Sequence, residues 1–100
     1  MVNPFETVYE KLGAPEVLTQ LAEEAAELAQ AALKLRRTLV KVNPTPMDVG
    51  KAMANLYEEI ADVQNSLSVL DARGQLDKGD IERLREFKMT RWVKRLGGTE

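Results

Sequence analysis

The chain has 100 residues and a formal net charge of −2, and it contains neither Cys nor His. Without Cys it has no disulfides or thiolate metal sites, and without His it lacks the commonest zinc ligand and the commonest general base. A bound metal would therefore be a hard cation such as Mg²⁺ or Mn²⁺, held by oxygen atoms. The slightly acidic balance argues against nucleic-acid binding.

Length and composition predict one all-α domain over residues 1–100. Apolar residues make up 44% of the chain but aromatic residues only 5%, and this Ala- and Leu-rich composition favours helices. No apolar run is long enough to span a bilayer and no signal-peptide pattern opens the chain. We therefore expect a cytoplasmic protein that does not enter a membrane.

Four helices are predicted in chain order. Gly13 ends a short first helix, and Pro15 suits the first turn of the second. Asn-Pro-Thr-Pro at 43–46 cannot continue a helix, because Pro lacks the amide donor. A turn follows at 73–79, and Gly97 with the next glycine ends the last helix. The predicted helices cover residues 5–12, 15 to about 37, about 47–72 and 80–96.

The two long helices each carry an apolar stripe with heptad-like spacing. In the second helix the stripe is Leu18, Leu21, Ala25, Leu28, Ala32 and Leu35. In the third it is Val49, Met53, Leu56, Ile60, Val63, Leu67 and Leu70. These stripes predict an antiparallel helical hairpin with shorter helices at each end. The hairpin buries too little alone, so we expect dimerisation to complete a four-helix bundle.

An acidic motif occurs twice, once in each long helix. Residues 21–28 and 56–63 align without a gap at a separation of 35 positions, and each copy has two adjacent acids and a third acid three residues later. A helix turns by about 100° per residue, so the second and third acids share one edge of each helix. The first acids, Glu23 and Glu58, point away from that edge. The acids on the shared edges are Glu24, Glu27, Glu59 and Asp62.

The position of the loop brings the two acid pairs to the same height. The midpoint between the pairs is residue 43, inside the predicted loop. An antiparallel hairpin therefore places the four acids on one side, on helices with axes about 8–10 Å apart. Carboxylates so close raise one another's pKa values unless cations are present. The repeat thus predicts a site for one or more divalent cations.

The doubled motif resembles the signature of the MazG-like, all-α nucleoside triphosphate pyrophosphohydrolases, which is Glu-Glu-x-x-Glu followed by Glu-x-x-Asp. The two parts stand here at residues 23–27 and 59–62. The resemblance extends to residues 43–46, to 55–63 and to the basic segment at 86–96. It covers most of the chain and is closest to the short, single-domain members from phages and bacteria.

The resemblance implies Mg²⁺-dependent hydrolysis of a (deoxy)nucleoside triphosphate to the monophosphate and pyrophosphate, by a homodimer or a dimer of dimers. The metal ligands that it implies are Glu24, Glu27, Glu59 and Asp62. Lys88 and Arg91 would meet the phosphates, with Arg95 as a further basic candidate. The catalytic candidates, by position, are Glu23 and Glu24, either of which could orient the attacking water.

Other interpretations stay open. Glu favours helices, so the two motifs are also typical of solvated helix faces. The heptad stripes also suit a non-catalytic interaction or regulatory protein that binds a partner and no metal. Cations in the last helix are also typical of a helix C-terminus, where the macrodipole favours them. A di-iron carboxylate bundle is the weakest alternative, because it usually needs a His that this chain lacks.

Overall fold

All regular structure in the described part of the chain, residues 3–40 and 48–97 of this computed structural model, is helical. The helices are α1 (Pro4–Leu12), α2 (Ala14–Val40), α3 (Val49–Leu70) and α4 (Lys78–Arg95). The predicted all-α class and the order of four helices are confirmed. The predicted loop at 43–46 lies outside the described residues. No helix within the described ranges combines the length and apolar character that a membrane crossing requires.

Local hydrogen bonds and one glycine explain where the first three helices begin. The Asn3 side chain accepts a hydrogen bond of 2.9 Å from the Phe5 amide, and Asp48 accepts one of 2.8 Å from the Lys51 amide. Both side chains satisfy amides that the first turn of a helix leaves without a partner. Gly13 separates α1 from α2 with a φ of 82°, a left-handed conformation that glycine adopts without strain.

The turn between α3 and α4 covers residues 71–77, so it is as long as the predicted one at 73–79 but lies two residues earlier. The last helix begins at Lys78, because Asp77 accepts a hydrogen bond of 2.9 Å from an amide in its first turn. The carboxylate of Asp71 orders the turn: it accepts a hydrogen bond of 3.0 Å from the Leu76 amide and lies 3.1 Å from the Lys78 ammonium. These contacts, the backbone bond first, lower the pKa of Asp71 below its ordinary value of 3.8.

The short helix α1 packs against both α2 and α3. Its polar side is held by Arg73, which follows α3. The Arg73 guanidinium lies 3.0 Å from the Glu10 carboxylate and 5.2 Å from the centre of the Tyr9 ring. A cation over an aromatic face adds attraction to the ion pair. Arg73 therefore fixes α1 beside the end of α3.

The packing of α2 against α3 forms the main helix contact of the chain. The buried side chains of the described residues are Val17, Ala31, Ala52 and Val69. Half-buried residues continue this contact, and we call the whole row the packing seam. Its half-buried members include Leu21, Glu24, Leu28 and Leu35 on α2, and Leu56, Glu59, Val63, Ser66 and Leu70 on α3.

The predicted apolar stripes are only partly correct. Six of the thirteen members lie in the packing seam and Met53 is also half-buried, but the other six are exposed on one flank of the helix pair. This exposed apolar flank consists of Leu18, Ala25 and Ala32 on α2, and Val49, Ile60 and Leu67 on α3. A single neighbouring helix covers only part of an apolar stripe as wide as this one. The remaining part stays available for another helix.

The last helix, α4, makes no contact with the other three helices in the described chain. Thr90 is its one half-buried residue, and all the others are exposed. Its large exposed apolar side chains are Ile81, Leu84, Phe87, Met89, Trp92 and Val93. The Cα radius of gyration is 17.3 Å, whereas a compact domain of this length has about 13 Å. Much apolar surface is therefore left uncovered.

We expect Ala52→Leu to lower the free energy of unfolding by about 1–3 kcal/mol, because a larger side chain must force the helices apart. Ala52 is 0% exposed in the packing seam. Ala54→Leu is the matched control, since Ala54 is exposed on the opposite side of α3 and should change stability by about 0.5 kcal/mol or less. Denaturant unfolding measures both variants. Equal losses would contradict the assigned seam.

Candidate metal centre

Four acids from α2 and α3 meet at one place. One carboxylate oxygen from each of the four lies within 4.8 Å of the others. We call these residues the acid quartet: Glu24 and Glu27 on α2, and Glu59 and Asp62 on α3. The structure thus brings together the four acids that the doubled motif predicts on one side of the helix pair. Their role as metal ligands stays a prediction.

The two inner members of the acid quartet, Glu24 and Glu59, lie in the packing seam itself. Helical phase alone predicts Glu24 about 60° away from the apolar stripe, yet it is half-buried in the same row as Leu21 and Leu28. In both glutamates the Oε2 atom is buried and has no hydrogen-bond partner within the described residues. A buried carboxylate oxygen without a partner is costly. A proton or a cation bound to these two oxygens would remove this cost.

Burial and mutual repulsion both act on the acid quartet. The pKa of Glu24 is raised above its ordinary value of 4.5, first by burial and then by the negative charges of its three neighbours. The pKa of Glu59 is raised too, first by burial, then by a hydrogen bond with Glu27 that favours the protonated form. The cluster thus resists carrying four negative charges at once. A bound cation would reverse this effect.

The donor set fits a hard divalent cation. All four groups are carboxylates, the ligands that Mg²⁺ and Mn²⁺ take in proteins. Oxygens on opposite sides of an octahedral Mg²⁺ lie about 4.2 Å apart. The quartet oxygens, within 4.8 Å of one another, are spread only slightly wider. Glu27 and Asp62 are exposed, so their side chains are free to rotate inward.

The other acids of the doubled motif lie outside this cluster. Glu23 and Glu58 are exposed, as their helical phase predicts. The catalytic role considered for Glu23 stays a prediction. Glu24, the second catalytic candidate, belongs to the acid quartet and also lines the cavity beside it.

The basic residues predicted to meet phosphate lie on a different part of the molecule. They line a surface concavity of about 460 Å³ on α4, which is formed by Arg85, Lys88, Met89, Arg91, Trp92 and Arg95. Because α4 contacts neither α2 nor α3 in the described chain, one copy does not bring them to its own acid quartet. Residue spacing predicts which face of a helix these cations share, but it does not predict where that helix lies relative to the others.

A cavity of about 270 Å³ opens beside the acid quartet, between α1, α2 and α3. Its lining residues are Val8, Leu12, Val17, Gln20, Glu24, Asp62, Asn65, Ser66 and Val69. Gln20, Asn65 and Ser66 are not among the predicted site residues. Helical phase is the signal that would find them, because Gln20 lies one turn before Glu24 and the other two lie one turn after Asp62.

We expect Glu59→Gln to raise the melting temperature of the metal-free protein at pH 7, because it removes one charge from the acid quartet. The pKa values of Glu24 and Glu59 are higher in the folded chain than their ordinary value of 4.5. These two residues therefore stabilise the fold fully below pH 4.5, and that stabilisation is lost as the pH rises through their folded pKa values. Wild-type stability should therefore fall with rising pH above 4.5, and the variant should lose less. Thermal unfolding from pH 4.5 to 8 with a chelator measures this.

Two features keep this measurement interpretable. Glu23→Gln, on the exposed side of α2, is the matched control and should leave the pH slope close to that of wild type, because Glu23 is not among the acids that raise the pKa of Glu24 or Glu59. Asp71 acts in a separate range, because its lowered pKa makes its contribution disappear only as pH falls below 3.8. Identical slopes for wild type and Glu59→Gln would contradict the repulsion inferred for the quartet.

Comparisons with protein-family models, with curated proteins and with solved structures found no match. The function is therefore inferred from the residues of this chain and from the resemblance of its acid motif.

Proposed function

We propose that this chain is a MazG-like pyrophosphohydrolase that uses Mg²⁺ or Mn²⁺ to split a (deoxy)nucleoside triphosphate into the monophosphate and pyrophosphate. The acid quartet carries this proposal: two acid pairs in a gapless repeat have carboxylate oxygens within 4.8 Å of one another. The buried, unpartnered oxygens of Glu24 and Glu59 favour a cation site over an ordinary solvated surface. The reaction itself comes from the resemblance.

The chemistry of the residues suits this reaction. The four carboxylates would hold the cation, which when bound neutralises phosphate charge and makes a water more acidic. Water attacks the α-phosphorus, the bond to the β-phosphate oxygen breaks, and a proton leaves the water as pyrophosphate departs. Glu24 is better situated than Glu23 to orient that water, since it borders both the acid quartet and the cavity.

We also propose that α2 and α3 form an antiparallel hairpin and that two copies complete a four-helix bundle. Residues that meet across the helices run in opposite order: Val17 and Val69 line one cavity, while Glu27 and Glu59 meet in the acid quartet further along. In this arrangement Ala25 comes level with Ile60, so the exposed apolar flank becomes one continuous strip. Packing two such strips together would bury surface that one copy leaves in water.

In this dimer, α4 would serve the partner copy. It has no contact with its own α2 and α3, and its apolar side chains are exposed. Its concavity is lined by four cations, two of which are Lys88 and Arg91. A phosphate chain held by a cation at an acid quartet needs positive groups on its other side. We therefore propose that α4 of one copy faces the quartet of the other.

The alternative function is a non-catalytic interaction or regulatory protein. The uncovered α4 favours it, because an exposed helix with large apolar side chains can equally dock onto a different protein. In that case Mg²⁺ would neither bind nor stabilise the chain.

With Mg²⁺, we expect the wild type to convert at least one nucleoside triphosphate to the monophosphate and pyrophosphate. Asp62→Asn should lower kcat/KM by about 100-fold or more, the upper end of losses seen when groups that merely support a metal ligand are removed. The control Glu58→Gln should stay close to wild type. Chromatography of the nucleotides and a pyrophosphate assay measure both products. No product from any of the eight common ribo- and deoxyribonucleotides would refute the enzyme and leave the alternative.

Subunit mixing tests the role of α4. Lys88→Ala and Glu59→Gln should each be inactive alone. If α4 serves the partner, an equal mixture should recover roughly one quarter of wild-type activity, because half the dimers are mixed and each mixed dimer has one intact site. If each copy used its own α4, no activity would return. Ile60→Glu, on the exposed apolar flank, should abolish both the recovery and the dimer seen by light scattering, whereas Ala61→Glu should not.

A further inference from the structure

The cavity beside the acid quartet changes its chemistry along its length. The apolar side chains Val8, Leu12, Val17 and Val69 form the end near α1, and Glu24 and Asp62 form the end at the quartet. Gln20, Asn65 and Ser66 line the cavity as well. From Val17 to Glu24 the length along α2 is about 10 Å. This is room for a ring and a sugar.

The polar side chains of the cavity are free to bind a ligand. Within the described residues, Gln20, Asn65 and Ser66 make no side-chain hydrogen bond. By contrast, the hydroxyls of Thr19 and Thr38 each donate to a carbonyl one turn back in the same helix. The two amides and the hydroxyl each offer both a donor and an acceptor. They therefore suit a ligand with mixed polar edges.

The charge of the cavity excludes phosphate from its interior. Among the described residues no Lys or Arg lines it, and the two charged residues that do are carboxylates, which repel anions. A volume of about 270 Å³ is also below the range of about 300–1,000 Å³ typical for whole ligands. The cavity is thus suited to an uncharged part of a ligand whose anionic part lies elsewhere.

We propose that this cavity holds the nucleoside half of the substrate, with the base between the apolar walls and its polar edges bonded by Gln20 and Asn65. This inference rests on the proposed function, because the triphosphate would extend from the cavity to the cation at the acid quartet. Asn and Gln amides pair well with the edges of nucleobases, since both alternate donors and acceptors. The apolar side chains Val8, Leu12, Val17 and Val69 would contact the base at this end of the cavity.

The concavity on α4 is the competing place for a base, because Trp92 could stack on one. Four of its six lining residues are cations, however: Arg85, Lys88, Arg91 and Arg95. Such a surface suits phosphate oxygens rather than an uncharged ring. The two concavities therefore divide the substrate between them.

Kinetics with a matched pair of variants tests the proposal. Gln20→Ala and Asn65→Ala should each raise KM for a nucleoside triphosphate by about three- to tenfold, the loss expected for one neutral hydrogen bond. The inhibition constant of inorganic tripolyphosphate, which has no nucleoside, should change less than twofold. Gln30→Ala is the control, because Gln30 is an exposed glutamine of the same helix outside the cavity. A parallel rise in the tripolyphosphate constant, or no rise in KM, would overturn the proposal.

Binding of free nucleosides separates this proposal from the proposed function. Adenosine, guanosine, cytidine, uridine and thymidine carry no phosphate, and at least one should shift the side-chain amide resonances of Gln20 and Asn65 in NMR spectra but not those of Gln30. If those shifts occur but no triphosphate is hydrolysed, the proposed enzymatic function is refuted and the proposed nucleoside cavity is supported. Hydrolysis without such shifts, or the absence of both, would overturn the nucleoside cavity.

Discussion

Repulsion among four carboxylates at the contact between α2 and α3 is the constraint on which the rest of the molecule depends. Glu24 and Glu59 occupy positions of the packing seam that apolar side chains would normally fill, and each has a buried oxygen without a hydrogen-bond partner among the residues that the structure describes. The tightly packed residues, Val17 and Val69 on one side and Ala31 and Ala52 on the other, flank this weak point. A cation between the carboxylates would turn repulsion into attraction across the seam. Binding of such a cation would therefore stabilise the folded chain.

The same constraint explains why the molecule leaves a second face uncovered. Because the seam includes charged groups, it supplies less apolar burial than two helices of this length usually provide. The exposed apolar flank lies about 60–100° around each helix from the seam, on the side away from Glu27 and Asp62. A second copy docked on that flank would add the missing burial without covering the acid quartet. One side of the helix pair would thus serve dimer packing, and the other side would leave the acid quartet accessible.

The amino-acid sequence predicts the features that depend on local periodicity. The order of the helices, the stop at Gly13 and the meeting of the four acids all follow from helical phase and the loop midpoint. It does not predict which part of a wide stripe meets the neighbouring helix, so Glu24 is more buried and Leu18 more exposed than expected. The cavity and the separation of α4 depend on non-local contacts, such as Arg73 with α1, that no spacing within one helix reveals.

The distribution of charge offers an explanation for the separation of α4 from the other helices. A triphosphate is strongly anionic, and in one copy the surface of α2 and α3 around the proposed reaction is acidic. Neutralising such a substrate takes positive charge on more than one side. A cation at the acid quartet would supply positive charge on one side. The cations of the α4 concavity, Lys88 and Arg91 among them, lie on a helix that no other helix of the described chain contacts. If those cations reach only a partner's quartet, an isolated copy holds half a site, and assembly becomes a condition for catalysis rather than for stability alone.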